Sequence, residues 1–503
     1  MQFSHIAPLS ALCAKEFLSE FVNSILFPII HGICCYCKSL FLQIARIMGQ
    51  NRNFLYKDFP VCYTFFISAK GRHYMKASIC TLGCRVNQYE SDAISESLQA
   101  KGFTVVPYGE ESDVVIINTC TVTGESDRKS RQLIRRAACA APDAAIIVTG
   151  CFAQVAPDAA ASLGADAVVG NGDKGQIPDI AYALVQGGCF EGAVSDIQTA
   201  AYDNLRINAP RRARSYIKIE DGCENRCAYC IIPAARGRVR SKPAARVIEE
   251  ASVIASTGCC EVILTGIETG SYGRDLENMD LETLLEQVDC VPGIRRIALG
   301  SLDPTVLRPS FVERAAALTN LLPHFHLSVQ SGCTQTLNRM RRRYTAEKVL
   351  ENMARAREKI PGLTFSADMI AGFPGETEAD FLETVAFCKK AEFLHVHIFP
   401  YSVRKGTEAA GMPDQIAPAE KRRRSTYLAN VQKEVQAGIL DRYIDAHRIR
   451  PVYVLAEKWE QGITSGHTEH FVPCEIPTER DCTGQILSVY PVGKDDCTLK
   501  GKI

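Results

Sequence analysis

Three stretches of the chain, "KASICTLGC", "DVVIINTC" and "AAIIVTGC", run as apolar segments of strand length and stop at Cys84, Cys120 and Cys151. Helical patterns fill the gaps between them. "QYESDAISESLQAKG" closes on Gly102, and a polar run extends from about Ser126 to Ala141. "ADAVVGN" supplies a fourth short strand. Strand–helix alternation of this length predicts a parallel, two-sided α/β domain. In such a sheet the C-terminal strand ends converge on one crevice, where ligands bind. The three thiols lie 36 and 31 residues apart, yet they are expected to meet there and share a metal centre. Their spacing is too wide for a zinc finger.

A second trio is tight. "IEDGCENRCAYCIIPAARGRVRSK" places Cys223, Cys227 and Cys230 within eight positions. A tetrahedral structural zinc and a fully protein-ligated four-iron cluster each want four ligands. Three close thiols can leave one coordination position for a substrate, or can recruit a distant fourth ligand. The loop follows the strand "YIKIE", and five more strand-like segments come after it: 261–266, 296–301, 324–332, 364–372 and 395–402. Amphipathic stretches such as "YTAEKVLENMARARE" separate them. Six strands are two short of a full (β/α)₈ barrel, so a partial barrel open on one side is expected. Polar and glycine residues collect just beyond the strands: Thr265-Gly266, Ser301, Gln330-Ser331-Gly332 and "GFPGET", with Thr377 near a helix cap. Neither "GFPGET" nor "TGIETGSYG" is a P-loop or a GxGxxG fingerprint.

Lys plus Arg and Asp plus Glu both number 57, so no global basic field advertises nucleic acid. The 22 cysteines fit metal or redox chemistry in a reducing compartment better than a disulfide framework. Cys139 and Cys290 read as small buried residues. Residues 1–74 differ from the rest. Their apolar run "FVNSILFPIIHGICCYC" is at the short end for a membrane span and lacks a signal-peptide cleavage site. The preferred reading is an over-extended frame with the start at Met75, a non-native or unstructured extension; a membrane anchor is the alternative. Cys34, Cys35 and Cys37 are assigned no metal.

From Met75 onward the chain resembles the radical S-adenosylmethionine (SAM) methylthiotransferases. The resemblance rests on Cys223-Glu-Asn-Arg-Cys227-Ala-Tyr-Cys230, on "TLGCRVNQYES", "INTCTVT" and "VTGCFAQ", and on "HLSVQSG…LNRMRRRYT", "AGFPGE" and "FPYSVRKGT". Within that family, "TLGCRVNQYES" is most similar to the MtaB branch. That branch acts on N6-threonylcarbamoyladenosine at tRNA position 37 and forms the 2-methylthio derivative. The resemblance implies two [4Fe–4S] clusters. Cys223, Cys227 and Cys230 would hold the one that chelates SAM, and Cys84, Cys120 and Cys151 an auxiliary one that carries or donates sulfur. It also implies SAM contacts at Thr265, Gly266, Ser301 and Gln330, an electron donor protein, and a cytoplasmic place of work. Tyr229 would pack beside the cluster. Glu268 departs from the branch's pattern and is assigned no role.

The expected division is 75–205 for the α/β domain, 206–440 for the partial barrel and 441–503 for a small strand-rich domain resembling the RNA-binding TRAM β-barrel. That last piece carries eight Lys/Arg against ten Asp/Glu, so it is a poor phosphate surface. Basic runs at Arg236 to Lys242, at Arg339 with Arg341 to Arg343, and at Lys421 to Arg424 are better candidates for tRNA phosphates. Two alternatives stand beside this reading. One is the same chemistry on another tRNA adenosine or a ribosomal protein; the other is a non-catalytic metal-containing RNA-binding protein.

Overall fold

Strands Lys76–Thr81 (β1), Thr104–Val106 (β2), Val114–Thr119 (β3), Ala145–Gly150 (β4) and Ala167–Val169 (β5) form one parallel sheet in the order β2-β1-β3-β4-β5. The computed structural model describes residues 75–190, 192–210 and 212–503. The expectations for residues 1–74, including Cys34, Cys35 and Cys37, fall outside those residues. All six residues of β3 are buried, as a central strand covered on both faces requires. Its alternate residues feed two cores. Val114 and Ile116 pack with Tyr89 and Ile94 of the helix Arg85–Ala100, while Val115 and Ile117 pack with Ile134 of the helix Gly124–Ala140 and with Phe152. The sequence reading found four of these strands and missed β2, which is only three residues long. Cys139 is exposed, a correction to its reading as buried: the helix Gly124–Ala140 buries Ser130, Ile134 and Ala137, and Cys139 lies off that stripe. Cys290, at the C-cap of the helix Leu281–Asp289, is exposed too.

The second layer begins with Ser215–Lys218 (β6), then a short antiparallel pair, Glu220–Asp221 (β7) and Arg240–Ser241 (β8). Glu261–Thr265 (β9) and Arg296–Leu299 (β10) extend β6 into a three-stranded parallel sheet. Ser301–Leu302 (β11), His324–Gln330 (β12), Thr364–Ala371 (β13) and His395–Pro400 (β14) form a four-stranded one. β10 and β11 are one expected strand interrupted at Gly300, where a side chain would press on Thr269 Oγ1 at 2.8 Å. The six long segments thus match the expected six. Among the described residues β14 has no pairing to β6, so the partial barrel stays open there. Its outer faces meet the helices in one large core through Ile217, Leu264, Phe325, Phe365 and Val396. Thr377 closes a capping box with Asp380 at the helix Glu378–Ala391.

The helix Pro418–Ala446 runs through the expected border at 440/441. It delivers Leu440 and Tyr443 to the core of a closed five-stranded barrel. That barrel comprises Val452–Glu460 (β15), Ile463–His467 (β16), Pro473–Pro477 (β17), Ile486–Asp495 (β18) and Thr498–Lys502 (β19). Buried Arg296 on β10 donates to the carbonyls of Tyr453 (2.9 Å) and Thr468 (3.0 Å), fastening this barrel to the partial barrel. Among the described residues no helix is long and apolar enough to cross a membrane.

Candidate metal centres at two converging strand ends

β1, β3 and β4 are neighbours, so Cys84, Cys120 and Cys151 leave the sheet at adjacent C-terminal ends. The β1/β3 contact is also where the strand order reverses, the usual ligand crevice of such sheets. Local backbone geometry explains the residues beside the thiols. Gly83 sits at φ +107°, and a Cβ there would lie 2.9 Å from Cys120 Cβ and 3.1 Å from its Sγ. Gly150, at φ +96°, would collide with Thr119. Only glycine takes these left-handed turns at such close approach. Asn87 ties the strand ends together, donating to the carbonyls of Leu82 (2.7 Å) and Thr119 (3.0 Å). Ser130 Oγ donates to the Cys120 carbonyl at 2.7 Å. Cys120 and Cys151 are buried, and burial pushes the Cys120 thiol up to about 11.

The second trio hangs from the β7–β8 pair. Gly222, at φ +88°, admits the carbonyl of Arg238 where a side chain would collide. Cys223 N–H then donates to the Gly237 carbonyl at 3.0 Å, and Cys230 N–H to that of Cys227 at 3.0 Å. Arg226 adopts φ +48° to fold the loop. Burial pushes Cys223 and Cys230 up to about 12. Cys227 Sγ accepts from Arg342 Nη1 at 3.2 Å, and Arg342 is itself anchored by Asp303 at 2.7 Å. An open cleft of about 410 Å³ is lined by Arg226, Cys227 and Cys230 on one side and Gly406 to Glu408 on the other. Tyr229 meets Phe373 edge-on at 6.4 Å, in a packing role.

The all-thiol donor chemistry of both trios suits a multi-iron cluster. Three sulfurs around one tetrahedral zinc would sit about 3.8 Å apart. Among the described residues, the one group of three donors within 4.8 Å of one another lies elsewhere and contains no cysteine. Thr265 ends β9, Gly266 follows it, Ser301 starts β11 and Gln330 ends β12, so all four share the rim from which the cysteine loop departs. Gln330 holds φ +74°, a left-handed strain that a non-glycine residue adopts only under constraint. Beside Gly266 lies the buried carboxyl of Glu220. Its Oε2 accepts from Glu268 N–H at 2.9 Å, while Oε1 has no partner. Thr269 Oγ1 and Ser271 Oγ are buried without partners as well. These oxygens suit a ligand that brings its own donors, as the ammonium of SAM does.

The sequence reading missed the roles that Arg236, Arg342 and Glu268 take at these sites. Arg236 is fully buried. Its Nε points at Cys151 Sγ (3.4 Å), and its other nitrogens reach Glu90, Asp221 (3.1 Å) and Asn87. Lys174 and Lys218 also pair with Glu90. Burial opposes ionisation of Glu90, but Arg236, Lys174 and Lys218 outweigh it and hold its carboxyl well below the usual range. Arg342 serves Cys227 in a similar way. Glu268 accepts from the N–H groups of Gly270 (3.0 Å) and Asp303 (3.1 Å). Nothing in sequence spacing marks these residues, because their partners lie up to 149 positions away, the separation of Arg236 from Asn87.

The expected basic surfaces need correction. Arg236, Arg240 and Lys242 are buried in ion pairs with Glu90, Asp221 and Glu250, and within 236–242 only Arg238 is exposed among the basic residues. Arg424 is buried against Glu376 and Glu420, Lys421 is buried, and Arg342 is spent on Asp303 and Cys227. Arg339 pairs with Asp380, Arg341 with Glu408, and Arg423 with Glu378 and Glu420. Arg238, Arg343 and Arg422 remain as exposed basic positions in these runs that are candidates for phosphate contact.

Comparison with known proteins fits this geometry. Residues 76–170 match the "Uncharacterized protein family UPF0004", and residues 217–388 match the radical SAM superfamily. Threonylcarbamoyladenosine tRNA methylthiotransferase MtaB of Bacillus subtilis is 36% identical over 414 residues, covering 81% of this chain and 92% of the relative. MtaB of Thermotoga maritima is 38% identical over 411 residues, again 81% and 92%. The chain belongs to the MtaB methylthiotransferase family. The tRNA-2-methylthio-N(6)-dimethylallyladenosine synthase of Moorella thermoacetica is 32% identical over 437 residues, covering 84% and 97%. The radical SAM methyltransferase TsrM of Kitasatospora setae, solved with cobalamin and a [4Fe–4S] cluster, shares the fold at TM-score 0.51 and 15% identity over 67% of this chain and 77% of its own.

Within this MtaB-family chain, Arg236 and Glu268 invite direct tests. Removing one partner from a buried charge network costs about 3–5 kcal/mol. Arg236→Gln should therefore lower the unfolding free energy in urea by that order, whereas Arg238→Gln, two positions on and exposed, should change it by less than about 0.5 kcal/mol. Burial and the Asp303 carboxylate push Glu268 up to about 7, from an ordinary 4.5. Between those two values the folded state holds a proton that the unfolded state has released, so this group lowers stability as pH rises through that window. Glu268→Gln should then raise the melting temperature by a few degrees at pH 8 and leave it unchanged at pH 4.5.

Proposed function

We propose that this chain is a radical SAM enzyme that converts N6-threonylcarbamoyladenosine at tRNA position 37 to its 2-methylthio derivative. The observation that carries the reading is the pair of separate three-cysteine sites, one on each α/β layer, in a chain of the MtaB family. The substrate follows the names of the Bacillus and Thermotoga relatives. In this reading Cys223, Cys227 and Cys230 hold a [4Fe–4S] cluster that binds SAM, and Cys84, Cys120 and Cys151 hold a second. Bound there with SAM, that cluster would supply radical chemistry at adenine C2, a C–H bond beyond the reach of acid–base groups.

The chain's own residues hold, orient and screen. Arg342 and Arg236 donate to Cys227 and Cys151 sulfurs; such hydrogen bonds favour the thiolate and tune cluster potential. Thr265, Gly266, Ser301 and Gln330 would contact SAM on the barrel rim, with the Glu220 oxygen available to its ammonium. Arg236 follows Cys230 by only six positions, at most about 21 Å of extended chain. That short link supports a shared chamber for both trios. Flipping the target base from its stack would bring C2 to it. The electron donor would be a separate protein, and the second cluster would carry or donate the sulfur, in the cytosol where tRNA is processed.

The alternative substrates and the non-catalytic reading are not favoured by a chain that belongs to this family. The direct test is expression in bacterial cells that lack 2-methylthio-N6-threonylcarbamoyladenosine, followed by mass analysis of tRNA nucleosides. Wild-type chain should restore the methylthio nucleoside. Cys227→Ala should restore none and release no 5′-deoxyadenosine, while Cys120→Ala should restore none yet retain SAM cleavage in vitro. Restoration by Cys120→Ala would contradict the role of the sheet-end trio, and no restoration by wild type would contradict the substrate.

A further inference from the structure

A third cluster of metal-binding side chains contains none of the six cysteines. His326 on β12, Asp368 on β13 and His397 on β14 bring their donor atoms within 4.8 Å of one another. Strand register makes this convergence: Ser366 is level with His326 and His395, and Asp368 with His397. The intervening residues Phe325, Leu327, Phe365, Ala367 and Val396 belong to the core beneath the helices. Strand alternation therefore turns the three donors to the opposite face, the inner wall of the partial barrel.

His326 is oriented toward the other two donors. His326 Nδ1 is engaged by Ser366 Oγ at 2.8 Å, which leaves Nε2 directed at Asp368 Oδ2, 3.2 Å away. An oriented imidazole of this kind is the usual arrangement of a metal-bound histidine. His397 is exposed and stands 5.6 Å from the His326 ring, centroid to centroid. A simple His–Asp hydrogen bond would need only two of the three groups. Ligands about 2.0–2.2 Å from a tetrahedral ion lie about 3.4 Å apart, so donors within 4.8 Å need only a small closure.

We propose that His326, Asp368 and His397 form a binding site for one divalent transition-metal cation of the zinc class on the inner wall of the partial barrel. Two imidazoles and one carboxylate are a three-ligand set that leaves coordination positions for an oxygen ligand. The site shares no ligand with the cysteine trios, so its test reads metal binding and not methylthio transfer.

Full-length protein reconstituted with iron and sulfide would be titrated with zinc chloride, and bound zinc measured by plasma mass spectrometry and zinc K-edge absorption. The expected result is one zinc beyond the iron content, with nitrogen and oxygen neighbours only. His397→Ala and Asp368→Asn should each weaken zinc at least about tenfold at unchanged iron content. His395→Ala should keep it, although that ring lies 4.5 Å from His397, centroid to centroid. Equal zinc affinity in wild type and both ligand variants, or sulfur neighbours around the zinc, would overturn the proposal.

Discussion

The guanidinium of Arg236 is the joint on which the arrangement of both sites depends. It leaves the short helix Ile232–Arg236, which follows the cysteine loop of the partial barrel, and ends against Cys151 Sγ of the other domain. Fully buried, it finds its acceptors on protein, in Glu90, Asp221 and Asn87. Those acceptors come from both domains. A displaced interface would strand several charges in a medium where each unpaired one costs several kcal/mol. The network also holds more cations than anions: Lys174, Lys218, Arg236 and Arg240 surround Glu90 and Asp221. An excess of buried positive charge beside a thiol trio suits an anionic thiolate-bound cluster.

A second constraint acts on the backbone. Gly83, Gly150 and Gly222 each precede a cysteine, and each holds a left-handed φ where a side chain would strike a neighbour. The Gly-Cys pair thus turns the chain sharply at a strand end and presents the thiol into the crevice. Cys120 manages the turn differently, with Ser130 Oγ donating to its carbonyl. Three of the six thiols therefore carry a local signature, which is why a sheet-end placement could be read from short motifs.

The parallel α/β domain, the six-stranded open barrel and the two trios were legible because strand-length apolar runs and terminal cysteines are local patterns. β2 was missed because three residues are too few to show a period. The basic run from Arg236 to Lys242 was misread for a different reason. Charge looks solvated in sequence, and only the fold shows that Glu90 and Glu250 wait beneath it. Arg342 was misread, and Glu220 and Glu268 were silent, for the same cause: their roles arise from burial and from partners on other segments. The His326, Asp368 and His397 group needed strand register, which no spacing along one strand reveals.

The central claim is that one chain builds two separate cluster sites, and iron counting tests it most directly. After anaerobic reconstitution, wild-type protein should carry about eight irons and eight sulfides. The triple variant Cys84→Ala, Cys120→Ala, Cys151→Ala should carry about four, and so should Cys223→Ala, Cys227→Ala, Cys230→Ala. Loss of all iron in either triple variant that remains folded would mean that the six cysteines serve one shared centre, contrary to this account.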